Sequence, residues 1–462
     1  MGWLKELETK FKITIDREQY QAIVDHHQCL QIIAGAGSGK TFTICCKVYY
    51  LVYVKHVPSE KILMLSYTNY ACSEIKKYFK QMNLTIQVIT FHKFALNVLK
   101  HNRQSFVIET DIEQVNKRFL EHLRTDDRNY YEALLLSYMT TSNIKKRLLK
   151  YWYRLLWKLK PDLVPSCLEE EIIKELQEQN NTLLLQKFES YKERNHIIFL
   201  SDMVKRALDL LKEKNCIYLD YEYIMIDEFQ DISKERFDFI FQYYQLTKCH
   251  VVAVGDDYQS IYRFADSDVD YFIHFLDYFS PGIQIFLNHT YRNSQELLVY
   301  AEKVISRNNN QIRKKLYSEK HLKFPIKQYY YTDEKSYVKQ IKHILEQLFQ
   351  TTKPKKILIL SRYQFDLEIM KEKTIYHMLK KCPPWIQVDM LTIHKAKGLG
   401  YDEVLLLNLR TGKYGFPSTE MDIDLEEERR LFYVALTRTK NYVYLLIPQK
   451  NPSIFVEELL SE

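Results

Sequence analysis

Gly35–Thr41 reads GAGSGKT, a glycine-rich loop ending in Gly-Lys-Thr between the apolar run CLQIIA and the helical pattern FTICCKVYYLV. Glycines let successive backbone N–H groups turn inward around phosphate oxygens, so Gly35, Ala36, Gly37, Ser38, Gly39, Lys40, Thr41 and Phe42 form a candidate nucleotide site. Lys40 supplies positive charge at the β and γ phosphates, and the Thr41 hydroxyl is a ligand for Mg2+. By itself such a loop means only nucleotide binding. YIMIDEFQD, residues 223–231, adds an apolar run that ends in two acids. Asp227 suits a Mg2+ ligand, and Glu228 a carboxylate that takes a proton from water, which turns binding into hydrolysis. A third stretch, VVAVGDDYQSIYRF at 251–264, follows a buried strand with two acids, Gln259, two tyrosines, Arg263 and Phe264 in one loop. Small-molecule kinases also use a phosphate loop, but they rarely need a chain of 462 residues with a second sheet domain.

These loops must be held at strand ends. CLQIIAGAGSGKT, KILMLSYTN, YEYIMIDEFQD and CHVVAVGDD are short apolar runs that end in polar or glycine-containing turns. IQIFLNHTYRN, KKILILSRY, VDMLTIHKAKG and DEVLLLNL form a second set. Strands that alternate with helical patterns predict parallel sheets with ligands at their carboxyl ends, hence two α/β domains. Residues 97–195 are helical by period, rich in tyrosine and without strand signals, which predicts an inserted all-helical domain. The expected division is 1–96 with 196–278, then 97–195 as the insert, then 279–462. Gly35, Gly37, Gly39, Gly255, Gly398 and Gly400 all follow predicted strands, where the backbone approaches a ligand closely.

Composition limits the partners. Hydrophobic content of 46% with 27% charged residues is a globular balance, and a net charge of +7 permits a polyanionic partner without the density of a histone-like protein. The eight cysteines show no Cys-x-x-Cys and no zinc spacing, which predicts a reducing compartment. The start MGWLKELETKF has no signal-peptide core, and no apolar run reaches about 18 residues. The expectation is a soluble cytoplasmic protein with no membrane partner.

DEFQD, VGDDYQSIYRF, HTYRNSQELL, TIHKAKGL and EERRLFYVALTRTK together resemble the motif series of superfamily 1A helicases of the UvrD/Rep/PcrA type, in order and spacing over almost the whole chain. The nearest subgroup is helicase IV-like, with a Gly-Phe-Pro element similar to KYGFPS at 413–418. The resemblance implies an ATP-dependent DNA helicase or translocase with two RecA-like domains, using ATP and Mg2+ and travelling three-prime to five-prime on single-stranded DNA or a single/double-strand junction. It also implies roles. Gln19 reads adenine, Tyr291 stacks on it, and Gly398 belongs to the nucleotide site. Arg292 and Arg438 reach the γ phosphate, where planar guanidiniums spread transition-state charge, and Gln259 senses that phosphate. Tyr262, Phe264 and Tyr67 are the implied base-stacking platforms, which hold any base through its π-face. Thr68, Asn69, Thr90, His92, Arg263, Thr392 and His394 are implied strand contacts or links to the ATP cleft.

Departures from the family pattern qualify this. Ala265 stands where the family carries an arginine, which leaves Arg263 to compensate, and Gly400 stands where a glutamate would hold the ribose. The short stretch between ILILSRY and VDMLTIHKAKG has no room for the regulatory 2B domain, which implies weak unwinding by the pure protein or a protein partner in its place. In the insert, Lys146, Lys150, Arg154 and Lys158 form an i, i+4 basic stripe that could track duplex phosphates; a merely solvated face explains it nearly as well. A rival function is an ATP-driven factor that displaces proteins from nucleic acid or RNA polymerase without unwinding, and stacking platforms do not by themselves exclude RNA.

Overall fold

Short runs that are apolar at nearly every position cannot expose either face, so they pair side by side and are covered by helices. In the computed structural model, which describes residues 2–138, 172–174, 176, 178, 181–419 and 423–461, these runs become strands. In chain order the strands are β1 Cys29–Ala34, β2 Ile62–Ser66, β3 Gln87–Thr90, β4 Val107–Glu109, β5 Ile197–Phe199, β6 Tyr223–Ile226, β7 His250–Gly255, β8 Gly282–Leu287, β9 Ile326–Tyr331, β10 Lys355–Ser361, β11 Ile386–Thr392, β12 Tyr401–Leu406 and β13 Thr439–Pro448. The chain forms two compact units, Met1–Phe91 with Leu219–Glu462, and His92–Tyr218.

The larger unit contains two parallel sheets, with strand orders β3-β2-β6-β7-β1-β8 and β11-β10-β12-β13-β9. β1 and β7 are wholly buried but for His250, and the helix Lys40–Tyr53 covers the sheet with Ile44, Cys45, Val48 and Leu51. Gly39, left-handed at φ 80°, starts that helix directly beneath the phosphate loop. An apolar cluster joins Ala36, Tyr258 and Ile261 from loops of the first sheet to Leu297, Ile393 and Tyr433 around the second. The cleft between the sheets is therefore backed by shared core.

Two expectations change here. The run IQIFL does not open the second sheet: as β8 it pairs parallel with β1, from Cys29 against Gly282 to Ala34 against Leu287. Without it β1 would be an edge, so the boundary between the sheet domains falls after Leu287 and not at 278. The second sheet is completed instead by β9 and β13, which lie side by side with Val443 opposite Ile326.

The smaller unit is mainly helical among the described residues, with Ile112–Asp126, Arg128–Tyr138, Thr182–Arg194 and Met203–Leu211. Val115, Phe119, Leu123, Tyr131 and Phe188 belong to its core. It is not all-helical, because β4 and β5 pair parallel, Val107 against Ile197, and it is wider than 97–195. The basic stripe Lys146, Lys150, Arg154 and Lys158 lies outside the described residues. No helix among the described residues is long and apolar enough to cross a membrane.

Candidate nucleotide and nucleic-acid site

The phosphate loop is shaped by glycine. Gly37 has a φ of 79°, and a Cβ there would lie 2.6 Å from Arg292 Cβ and 2.7 Å from Thr290 Oγ1, so only glycine lets these segments meet. Thr290 Oγ1 donates to the Ala36 carbonyl at 2.6 Å, and the Tyr291 N–H donates to that of Gly37 at 3.1 Å. Beside the loop, Phe11, Ile13, Thr14, Gln19, Phe42, Tyr78 and Tyr291 line an open, largely apolar cavity of about 590 Å3. Its aromatic walls and single amide suit a purine base. Asp16 caps the helix Arg17–Val24 in a capping box with Gln19, whose Nε2 donates to the Ser38 carbonyl at 3.1 Å. Tyr291 points its hydroxyl at Asp16 Oδ2, 2.7 Å away. Phe11, Ile13 and Tyr78 escape a motif-based reading because their only signal is to be aromatic or apolar.

At the carboxyl end of β6, Asp227 accepts from the Thr41 hydroxyl at 2.9 Å, which brings together a hydroxyl and a carboxylate, oxygen donors of a kind that fits Mg2+. Glu228 is left-handed, φ 56°, an uncommon state for a non-glycine residue that often marks a functional position. Its Oε2 lies 3.6 Å from Lys40 Nζ and accepts from Gln230 Nε2 at 2.7 Å. Burial and the adjacent Glu228 charge raise the Asp227 carboxyl well above the usual range. Burial pushes Glu228 the same way, but Lys40 and Lys397 outweigh it and hold that carboxyl low. Two neighbouring acids are thus driven apart in acidity, with Glu228 the one held as a carboxylate.

Gln259 lies in the loop after β7. Its side-chain carbonyl accepts from Arg438 Nη2 at 2.7 Å, its amide donates to Asp256 Oδ2 at 2.5 Å, and its backbone carbonyl accepts from Lys397 Nζ at 2.6 Å. Arg438, 1% exposed, also donates to Val434 and Leu399 carbonyls at 3.0 and 3.2 Å. Gly398, left-handed at φ 82°, shapes the turn that presents Leu399, and no atom lies within 4 Å of a Cβ built on it. Gly400 faces Arg292, whose Nε is 3.4 Å from where its Cβ would be. A side chain at this position would lie against the arginine.

The network contains one residue outside every motif, Lys314, and one, Gln230, that lies inside DEFQD without a role assigned from sequence. Lys314, fully buried, donates to Asp256 Oδ1 and Asp257 Oδ1, each at 2.6 Å, and lies 3.9 Å above the Tyr258 ring. Burial alone would lower its pKa, but the two carboxylates raise it. Gln230 bridges Glu228 to the backbone N–H of Asp256, which donates to its Oε1 at 3.0 Å. A single lysine in a polar stretch gives no signal that it will be buried.

Beyond Gln259 the same loop reaches the surface. Phe264 is 72% exposed and meets His394 edge-on at 5.3 Å, and the Tyr262 hydroxyl donates to the His394 carbonyl at 3.2 Å. Phe264, Arg263, Thr392, His394, Lys395 and Arg362 line an open cavity of about 620 Å3 with Asp424, Glu427 and Glu428. Arg263 pairs with Asp424, and its N–H donates to Glu427 at 3.0 Å, so its charge is already engaged. Burial, then Arg362 and Lys397, lower the His394 imidazole to about 4, which keeps it neutral. Tyr67 has a different setting: its ring packs 5.1 Å from Phe91, Arg236 lies over it at 5.5 Å, and its hydroxyl is buried. Thr68 caps the helix Asn69–Gln81 through the Ala71 N–H, with Asn69 exposed as its first residue. Thr90 ends β3, partly buried, and His92 is in the first turn of the helix Phe91–His101, in the smaller unit.

Comparison with known proteins agrees with this geometry. Residues 15–280 match the UvrD/REP helicase N-terminal domain, and residues 367–450 the UvrD-like helicase C-terminal domain. The chain is 27% identical to DNA helicase IV of Escherichia coli strain K12 across 96% of its length and 69% of that protein. It is 25% identical to a probable DNA helicase of Mycoplasma pneumoniae, across 94% of this chain and 83% of that one. It is 26% identical to the ATP-dependent DNA helicase PcrA of Staphylococcus epidermidis, across 78% of this chain and 49% of that one. The first of the two domain matches alone spans more than half of a chain whose phosphate loop, acid pair and opposed arginines meet in one cleft, and the chain belongs to the UvrD/REP helicase family.

Proposed function

We propose that the protein is an ATP-dependent DNA helicase or single-stranded DNA translocase, probing its strand with Phe264 and hydrolysing ATP between its two sheets. The observation that carries this reading is the engagement of Gln259: one residue holds Arg438 with its side chain and Lys397 with its backbone, five positions before the exposed Phe264. A change at the γ phosphate is thus one short loop away from a base-stacking ring.

The chemistry follows from the residues. Glu228, held as a carboxylate, takes a proton from the attacking water; Lys40, Arg292 and Arg438 spread the charge that develops on the phosphoryl oxygens. Thr41 and Asp227 would hold Mg2+, which would supply charge neutralisation for the phosphates. Gln19, Phe42 and Tyr291 take the adenine. Closing on ATP and relaxing after hydrolysis alternates the grip of Phe264 and its neighbours, which moves the chain along the strand, three-prime to five-prime by family analogy. Between β10 and β11 lie only the stretch Gln364–Lys371 and the helix Lys373–Lys380, which supports weak unwinding by the protein alone or a protein partner that assists strand separation. Free cysteines such as Cys29, Cys45 and Cys46, all buried, fit a cytoplasmic setting.

Steady-state ATP hydrolysis measured with single-stranded DNA, duplex DNA and RNA tests the reading. Single-stranded DNA is expected to stimulate turnover strongly and Phe264→Ala to abolish that stimulation. Turnover indifferent to every polynucleotide would leave a plain phosphohydrolase.

A further inference from the structure

The first sheet stops at an unpaired strand. β8 is last in the order β3-β2-β6-β7-β1-β8, so one of its sides has no neighbouring strand. The Gly35 N–H donates to the Leu287 carbonyl at 3.3 Å, which turns the backbone groups of Leu287 toward β1. Backbone groups along a strand alternate sides, so those of Ile283 and Ile285 also face β1, and those of Gln284 and Phe286 face outward. Two positions further on the outward row is closed off: the Asn288 N–H donates to Glu18 Oε2 at 2.6 Å, and Asn288 Nδ2 donates to Glu18 Oε1 at 2.9 Å.

This short stretch of free edge borders an open groove of about 580 Å3, whose other wall is the helix Arg17–Val24 and the turn after it. Val24, Ile283, Ile285 and Phe286 give the groove half-buried apolar surface, and Glu18 and Asp25 add two acids. Among the described residues that line it there is no lysine or arginine, although the chain as a whole carries a net charge of +7. Lys47, behind the end of the helix, is buried and donates to the carbonyls of Ala22 and Asp25 at 3.1 and 2.6 Å.

We propose that the outer edge of β8 is a docking site for a partner protein, which adds a short, extended, basic segment as a seventh strand. Free edges pair with peptides through main-chain hydrogen bonds, and the walls beside them set the side-chain preference. Here alternate residues of the segment meet Val24, Ile283 and Ile285, and those at its ends meet Glu18 and Asp25. The groove therefore selects apolar residues flanked by lysine or arginine. Charge also decides between occupants. An acidic groove repels a phosphate backbone, which separates it from the strand surface proposed around Phe264. A second copy of the chain would set Glu18 and Asp25 against their own counterparts, like charge against like. The proposal needs only the edge and its acids, and stands apart from the nucleic-acid reading.

Fluorescence anisotropy on the full chain tests this with a labelled, end-blocked peptide, Lys-Lys-Val-Thr-Val-Thr-Lys-Lys, and its counterpart with glutamate in place of every lysine. The lysine peptide is expected to bind the wild type, and the glutamate peptide to bind at least about tenfold more weakly. Gln284→Pro removes an outward N–H and no bond to β1, a change that edge strands tolerate, and should weaken the lysine peptide by about tenfold. Gln284→Ala keeps that N–H and loses only the side-chain bond to Gln31 Oε1, 2.8 Å long, so it should bind as the wild type does. Asp25→Asn should weaken the peptide and flatten its salt dependence. Both changes at Gln284 should leave ATP turnover unaltered. No binding of the lysine peptide to the wild type, equal binding of the two peptides, or equal losses in Gln284→Pro and Gln284→Ala overturns the proposal. So does a wild-type dimer in sedimentation velocity that Gln284→Pro dissociates, which gives the edge to a second copy. A loss of oligothymidylate binding in Gln284→Pro overturns it as well, and gives the edge to nucleic acid.

Discussion

Arg438 Nη2 donates to the side-chain carbonyl of Gln259 at 2.7 Å, across 179 positions of sequence and from one sheet to the other. The bond holds the arginine beside Glu228 and Arg292, and burial together with the Arg292 charge lowers its pKa to about 9, so it stays cationic at neutral pH. Arg438→Lys keeps the charge and loses the fork that reaches Gln259, Val434 and Leu399. Turnover is expected to fall by about a thousandfold, with nucleotide affinity changed by less than about tenfold. Adding Gln259→Ala should cost little more, because both changes break one bond. Phosphate-release rates and titration with a fluorescent nucleotide measure the two effects, and fully additive losses would contradict the coupling.

Among the described residues, Lys314 is the counter-ion that both Asp256 and Asp257 touch. Lys314→Met leaves two buried carboxylates without it and should cost about 3 to 5 kcal/mol of stability by urea unfolding. Asp257→Asn added to Lys314→Met removes one stranded charge and should recover part of the loss. If the double variant is as unstable as the single, the charge account fails.

Gly37→Ala places a Cβ 2.6 Å from that of Arg292, on a backbone at φ 79°. The clash is with side-chain and backbone atoms that the phosphate loop itself fixes, so the loop has to open. Nucleotide binding by isothermal titration should be lost while the far-ultraviolet circular dichroism of the sheets persists.

His394 titrates near 4 and not at its ordinary 6.5, because burial and then the charges of Arg362 and Lys397 oppose its protonation. A depressed pKa contributes stability that is complete above about 6.5 and is lost as pH falls through about 4. Thermal melts at pH 7.5, 5.5 and 4.5 should therefore show a steeper acid loss in the wild type than in His394→Gln. Between pH 8 and 6 the imidazole stays neutral, so the substitution should leave the pH slope of DNA affinity unaltered over that range.

The chemistry was more legible than the architecture. Gly37, Lys40 and Asp227 could be read from residue type and spacing, because phosphate binding demands particular residues at strand ends, whereas Gln259 and Arg438 were reached only through the family resemblance; Gln259 and Arg438 are joined directly, Nη2 to the side-chain carbonyl. Strand partners were harder. IQIFL announces a strand, but only the open edge of β1, more than two hundred residues earlier, decides which sheet it joins. β9 was missed because IKQYYY has one aliphatic residue and then lysine, glutamine and three tyrosines, a composition that suits a half-exposed edge as well as a loop. Lys314 carries no spacing signature at all, and Gln230, although inside DEFQD, gives no sign of the partner it bridges to. Their role comes from being enclosed, a property of the whole fold.

Thr290 and Tyr291 are tied to Ala36 and Gly37 on the first sheet, whereas Asn293 Nδ2 donates to the Thr439 carbonyl at 2.7 Å on the second. The chain thus changes allegiance within a single residue, Arg292. The roles proposed for Tyr291 and Arg292, adenine stacking and charge neutralisation, would therefore be anchored to opposite sheets. Under the proposed function, a nucleotide reaching from Tyr291 to Arg438 would pull across the one residue where hydrogen bonding passes from one sheet to the other.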